Sequence, residues 1–423
     1  MATSIQTGLS PRRAALDNGA VIIAKETHKM PAVALHVMVR AGSIIDPAGQ
    51  PGAAYLLSRV IDRGTSSRTA EHIAEELDSR GISLAIGVNR HQMSASCTCL
   101  TDDFEDVLAL VGDIFASPSV PDAELATRKG EVITAIRQDQ DNPAMRAVES
   151  LMAVLYGADH PYGRTQKGTI DTVETLTAAR LRELHRDRFA PTELTAVVVG
   201  DVDAARAIDV AERVFGRWQA AEPPPVTIPS PPAATSRRRM VVPMMNKAQA
   251  DIAYGFVSIS RDDPAYYAMT LMNNALGQYA LGGRLGDNIR ERQGMAYYVS
   301  SILDANVMRG PLLVRAGVSA ANVDRAVAAI DHELTQIRTE GLTAKELNES
   351  RQFLIGAMPR ALETNAGIAS FLLNAEFFGL GLDYDVRLPS LLAAVTLEEA
   401  NAAARRALDP ELAAIVIAGP YQE

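Results

Sequence analysis

The chain has 423 residues, 47% hydrophobic and 22% charged, an ordinary soluble-globular composition and too much chain for one core. A formal net charge of −10 and a pI near 5.3 argue against a nucleic-acid surface, which needs a basic patch. No run approaches the roughly 18 apolar residues of a membrane span. The opening MATSIQTGLSPRR lacks the apolar centre of a signal peptide. With only Cys97 and Cys99 there is no disulfide framework, and their i, i+2 spacing in an alternating run suggests buried thiols on one strand face. These features favour the cytoplasm, or the periplasm if a leader has been trimmed away.

Taken in order, the chain opens with strand signals at residues 20–24, after the Asp17-Asn18-Gly19 turn, and at 32–39, after Pro31. Residues 52–65, GAAYLLSRVIDRGT, form an apolar helical run between Pro51-Gly52 and Gly64-Thr65. Tyr55, Ser58 and Arg59 stand at i, i+3 and i+4 and so share one helix face. A metallopeptidase helix uses that spacing to present two ligands and a base, work these three residue types cannot do. A second helix is expected over 69–80, closed by Gly81, then alternating strands over 82–98, helices over 104–115 and 121–140, further helices to about His185, and a strand over 194–199.

Residues 221–236, AEPPPVTIPSPPAATS, read as a semi-extended linker, and the following Arg237-Arg238-Arg239 as its solvated end. Beyond it the plan recurs. Asp103-Phe104-Glu105-Asp106-Val107 is echoed by residues 322–327, and Pro121-Asp122-Ala123-Glu124-Leu125 by residues 343–347. The run beginning Pro191-Thr192-Glu193-Leu194 is echoed by the one beginning Pro410-Glu411-Leu412. Matches in the same order at nearly the same offset indicate a duplicated α+β half. The expected division is an N-terminal domain over 1–220, a linker over 221–239 and a C-terminal domain over 240–423.

Familiar catalytic patterns are missing. The seven histidines, His28, His36, His72, His91, His160, His185 and His332, include no pair three to five apart. No Gly-x-Ser-x-Gly elbow, P-loop or Gly-x-Gly-x-x-Gly occurs. Gly282-Gly283 and Gly379-x-Gly381 read as turns, and Asp102-Asp103 and Asp262-Asp263 as helix-entry or turn residues.

Together these features resemble the M16B (pitrilysin-like, inverzincin) zinc peptidases, a family that also includes the mitochondrial processing peptidase and the bc1 core proteins. The resemblance covers almost the whole chain. It implies two homologous α+β halves joined by a linker, forming half of a clamshell with a partner subunit. The family signature is G-x-A-H-F-L-E-H-M-x-x-x-G-T. Gly52, Ala54, Leu57, Gly64 and Thr65 keep its frame. Tyr55 stands for the first ligand histidine, Ser58 for the general-base glutamate and Arg59 for the second histidine. The helix of the third ligand matches Val132-Ile133-Thr134-Ala135-Ile136, followed by Asp141-Asn142-Pro143, with Ala135 in place of the ligand glutamate. A further family glutamate falls at Arg128. Zinc needs three protein ligands and one open position, so the resemblance implies a degenerate site with no metal on this chain.

A second block, Gly282-Gly283-Arg284-Leu285 followed by residues 289–299, IRERQGMAYYV, is similar to the family's S-R-L…R-E-K-x-G-L-A-Y-S-V. There Arg290 and Tyr297 match an arginine and a tyrosine that the C-terminal half lends to an active site. An arginine fork can hold a peptide carbonyl or carboxylate, and a tyrosine hydroxyl can meet a developing oxyanion. The resemblance therefore implies an inactive subunit of a zinc metalloendopeptidase heterodimer, not active alone. It would complete in trans the site of a zinc-bearing partner acting on peptides or unfolded proteins. The alternatives are a structural or assembly subunit like the bc1 core proteins, or a peptide-binding module without proteolysis.

Overall fold

Short apolar runs, buried on both faces at the centre and alternating toward the edges, build two sheets. The computed structural model describes residues 8–278 and 282–422; residues 1–7, the first part of the stretch read for a leader, lie outside the described residues. The first sheet contains β1 (Arg12–Ala15), β2 (Val21–Glu26), β3 (Ala32–Val39), β4 (Ala85–Val88), β5 (Met93–Leu100) and β6 (Leu194–Gly200), in the order β1-β2-β6-β3-β5-β4. Only β2 and β6 run parallel. The second contains β7 (Arg238–Pro243), β8 (Ala250–Val257), β9 (Ala296–Leu303), β10 (Pro311–Val318) and β11 (Ala414–Gly419), in the order β7-β11-β8-β10-β9, with β7 parallel to β11. Setting β1 aside, the second sheet repeats the first strand for strand. Each central parallel-paired strand is entered through a one-turn 3₁₀ segment, Pro191–Glu193 and Pro410–Leu412. The α+β duplication is thus written into the topology.

The chain divides into two compact units: residues 1–136, 165–228 and 359–386 form one, and residues 137–164, 229–358 and 387–423 the other. This division differs from the halves 1–220 and 240–423, and the physical reason lies in two helices. In the first unit, Val33, Leu35, Val37 and Val39 of β3 enter a core with helices of the N-terminal half, such as Phe104–Ala116. Ala34 and Met38 point the opposite way, with Ile23, Val197 and Val199. That second face is covered by Ile368, Ala369, Leu372, Leu373 and Phe377 of the helix Asn365–Phe377, which comes from the C-terminal half. In the second unit, the helix Pro143–Tyr156 of the N-terminal half packs on β8 and β11. A Cβ at Gly255 would stand 3.0 Å from the Leu151 side chain, so glycine there lets the helix approach.

The three arginines at 237–239 are not a solvated linker end. Arg237 makes a two-pronged pair with Asp331, at 2.9 and 2.7 Å. Arg238 donates to the Val154 carbonyl and Arg239 to Asp324. The latter two start β7. Carboxylates some 90 residues away organise the cluster, which composition cannot reveal.

Candidate functional site

The helix carrying the degenerate positions spans Ala53–Val60. Its start is organised by Asp46, a buried carboxylate accepting from the Gly52 and Ala54 amides at 2.7 Å each. These are charge-assisted bonds at the positive end of the helix. Gly52 has φ +94°, and a Cβ there would lie 2.5 Å from the Lys167 carbonyl oxygen, so glycine is required. Asp46→Ala is expected to cost about 1–2 kcal/mol, read as a lower urea midpoint at unchanged slope. An unchanged midpoint would remove Asp46 from the anchoring role.

On this helix Tyr55 is half-buried against the core, Ser58 is 3% exposed and Arg59 is exposed. The Ser58 hydroxyl donates to the Tyr55 carbonyl at 2.7 Å, bonding back onto its own helix. Ala135 is half-buried on the helix Asp122–Gln140. Arg128, on the same helix, pairs with Glu131 at 2.5 Å and Glu124 at 3.6 Å. Burial raises the Asp62 carboxyl pKa, opposed by the positive charges of Arg63, Arg128 and Arg59. The loop after the helix is held by Asp113, which accepts from the Thr65 and Ser67 hydroxyls and the Arg68 guanidinium at 2.6–2.8 Å.

The frame of the motif is thus intact, while its chemistry is a set of guanidinium–carboxylate pairs beside a self-bonded serine. These residues do not fit zinc: a phenol, a hydroxyl already used, a guanidinium and a methyl group offer no ordinary ligand set. Among the described residues no three His, Cys, Asp or Glu side chains gather in a metal-binding cluster. The histidines are accounted for elsewhere. His28 pairs with Asp201 at 2.6 Å, and His36 meets the Ser370 hydroxyl at 3.3 Å. His160 bonds the Pro229 carbonyl and the Tyr162 amide, and His185 the Phe115 carbonyl. His91 is buried beside Phe377, and His72 and His332 are exposed. Both cysteines are buried in β5, their pKa pushed up by burial to about 11 and about 12, so neither is a poised nucleophile.

Arg290 and Tyr297 stand on consecutive elements of the second unit. Arg290 belongs to a π-helical segment, Gly286–Arg292, a wide turn that recurs at functional sites. It is exposed and faces Glu291 at 3.7 Å. Gly294, with φ +60°, turns the chain into β9, where Tyr297 is 82% exposed. Arg284 has a different role from the pair. It grips both Glu346 oxygens, at 2.6 and 2.9 Å, and donates to the Gly341 carbonyl at 2.9 Å. It thereby fixes this block to the start of the helix Ala344–Ala361. Sequence reasoning missed Asp46 and Asp113: Asp46 caps a helix from outside it and Asp113 holds a loop some 45 residues away, and neither relation leaves a periodic signal.

Comparison with known proteins agrees with this frame. The family model described as insulinase (peptidase family M16) matches residues 21–167, and the one described as peptidase M16 inactive domain matches residues 175–354. An uncharacterised zinc protease of Mycobacterium leprae is 28% identical, over 97% of this chain and 92% of its own length. A Helicobacter pylori protein named as a non-peptidase homolog is 22% identical, over 90% of this chain and 87% of its own. The crystal structure of a peptidase M16 inactive domain from Pseudomonas fluorescens superposes with a TM-score of 0.90 at 26% identity, covering 98% of this chain and 99% of the other. With both family models placed in order along a duplicated α+β fold, the chain belongs to the M16 peptidase family.

Proposed function

We propose that this M16 chain is the non-catalytic subunit of a heterodimeric zinc endopeptidase, lending Arg290 and Tyr297 to the site of a homologous partner that holds the zinc. The observation that carries the reading is a contrast between the two blocks. The ligand and general-base positions are filled by Tyr55, Arg59 and Ala135 and by Ser58, while Arg290 and Tyr297 keep exposed polar ends. When bound on the partner, zinc would supply the activated water. This chain's share is to hold: the Arg290 fork binds a substrate carbonyl or carboxylate, and the Tyr297 hydroxyl donates to the oxygen on which negative charge develops. The substrate is an extended peptide or unfolded protein, and each subunit forms half of a closed clamshell. No helix among the described residues is long and apolar enough to cross a membrane.

The test mixes this chain with an M16 chain of the same organism carrying an intact His-x-x-Glu-His, and follows cleavage of an unstructured fluorogenic peptide. Neither chain alone is expected to turn over at the rate of the mixture. In the mixture, Tyr297→Phe should lower kcat by about 10²–10³-fold, and Arg290→Ala should lower kcat/KM comparably. A zinc-bearing chain equally active alone would overturn the proposal. Unchanged turnover in both variants would replace it with the structural, bc1-core-like reading.

A further inference from the structure

Tyr297 and Tyr298 are adjacent and chemically alike, yet they occupy opposite environments. Along β9, Ala296 and Val299 both enter the core of the second unit. Strict alternation forbids that for residues three apart. The register shows the cause: Gly317 of β10 faces Tyr298, and Val318 faces Ala296. Tyr297 is therefore the extra residue of a β-bulge, with no partner of its own across the strand pair. A bulged residue is re-aimed away from the regular faces, and Tyr297 is accordingly 82% exposed.

Tyr298 is held firmly instead. Asp251 of β8, Gly317 of β10 and Tyr298 of β9 stand in one row across three strands. A Cβ on Gly317 would lie 2.5 Å from the Tyr298 ring, so the ring lies across the space the glycine leaves. Its hydroxyl then reaches over β10 to donate to Asp251. Asp251 is 3% exposed and also accepts from the Gln249 amide at 3.2 and 3.3 Å. A tyrosine at either 297 or 298 could fill that slot, depending on which residue the bulge leaves out. Moving the bulge by one residue would exchange the two rings.

We propose that Tyr298, anchored to Asp251 across Gly317, is the positioning residue that fixes the bulge at Tyr297 and so keeps the Tyr297 hydroxyl presented outward. The consequence for catalysis rests on the subunit reading above; the consequence for geometry does not. Once Tyr298 loses its hydroxyl, Tyr297 is the tyrosine that can bond Asp251, and it turns inward.

The isolated chain provides the first test. Peptide-resolved mass spectrometry follows nitration of Tyr297 by tetranitromethane. In Tyr298→Phe, nitration of Tyr297 should fall about tenfold. Asp251→Asn keeps an acceptor for the Tyr298 hydroxyl and should stay near the parent chain. In Asp251→Asn/Tyr298→Phe, Tyr297 should again be protected. Equal Tyr297 nitration in the parent chain and Tyr298→Phe overturns the inference, whatever the partner does. In the reconstituted complex, Tyr298→Phe should lower kcat at unchanged KM, and should add nothing once Tyr297→Phe is present. If Tyr297→Phe alone has no effect on turnover, the catalytic reading fails while the nitration result still decides the positioning role. If Tyr297→Phe matters and Tyr298→Phe does not, only the positioning role fails.

Discussion

Residues 1–220 expressed alone are expected to give a chain without cooperative unfolding, although they contain all six strands of the first sheet. One face of that sheet is covered by the helix Asn365–Phe377, which such a fragment lacks. Uncovering Ile23, Met38, Val197 and Val199 forfeits roughly 1.5–3 kcal/mol each, about 6–12 kcal/mol in all, against a net stability of about 5–15 kcal/mol for a whole domain. The same fragment would also carry the helix Pro143–Tyr156 without the strands β8 and β11 that bury Leu151 and Leu155. Residues 221–423 face the mirror-image deficit. Co-expression of the two fragments is therefore expected to restore a cooperative thermal transition in circular dichroism that neither shows alone. A sharp native-like melt from residues 1–220 by themselves would contradict this account.

Acid should unfold the first unit before the second. Burial lowers the pKa of His91 to about 4, helped by the charge of Arg90, and that of His185 to about 4 as well, despite its bond to the Phe115 carbonyl. In the unfolded chain both titrate near 6.5. The folded state thus binds fewer protons, and the stability these imidazoles contribute is complete above pH 6.5. It is lost as the pH falls toward 4, at ~3 kcal/mol for each site. Both histidines belong to the first unit. In the second unit, burial would raise Glu346, but the Arg284 guanidinium and the amide and hydroxyl of Thr343 outweigh it and hold the carboxyl at about 2. That contribution is present above pH 4.5 and is lost only below it. Trp218, the single tryptophan, is buried in the first unit, so its fluorescence reports that unit selectively. Its acid midpoint should lie at higher pH than the midpoint of the helical signal. His185→Gln, which retains a donor for the Phe115 carbonyl, should move the fluorescence midpoint to lower pH. Coincident midpoints insensitive to this change would rule the mechanism out.

How far the sequence could be read depended on whether a feature was local. The strand at residues 32–39 was legible to the residue, because Pro31 starts it and apolar side chains fill both faces. Pro191 and Pro410 announced matching strand entries, since proline at the first position of a turn followed by an apolar run is a local signal. The family frame from Gly52 to Thr65 was legible for the same reason. The helices at 143–156 and 365–377 were a different matter: an apolar stripe shows that a helix is covered, but not by which sheet. The Arg237–Arg239 cluster was misread because Asp331 and Asp324 lie far along the chain. The special position of Tyr297 was invisible too, since a bulge is a relation between β9 and β10 and has no signature within β9 alone.

The borrowed helix also sets a timetable for synthesis. The first sheet is chemically complete once Gly200 has been made, but its second apolar face stays uncovered until Phe377 emerges. At about 5–20 residues per second, that interval is roughly 10–35 s, far longer than the microseconds in which a chain of this size collapses. A nascent chain in that interval presents an open, valine-rich surface to its surroundings. The demand this protein places on cellular folding assistance is therefore set by the order in which its helices are translated.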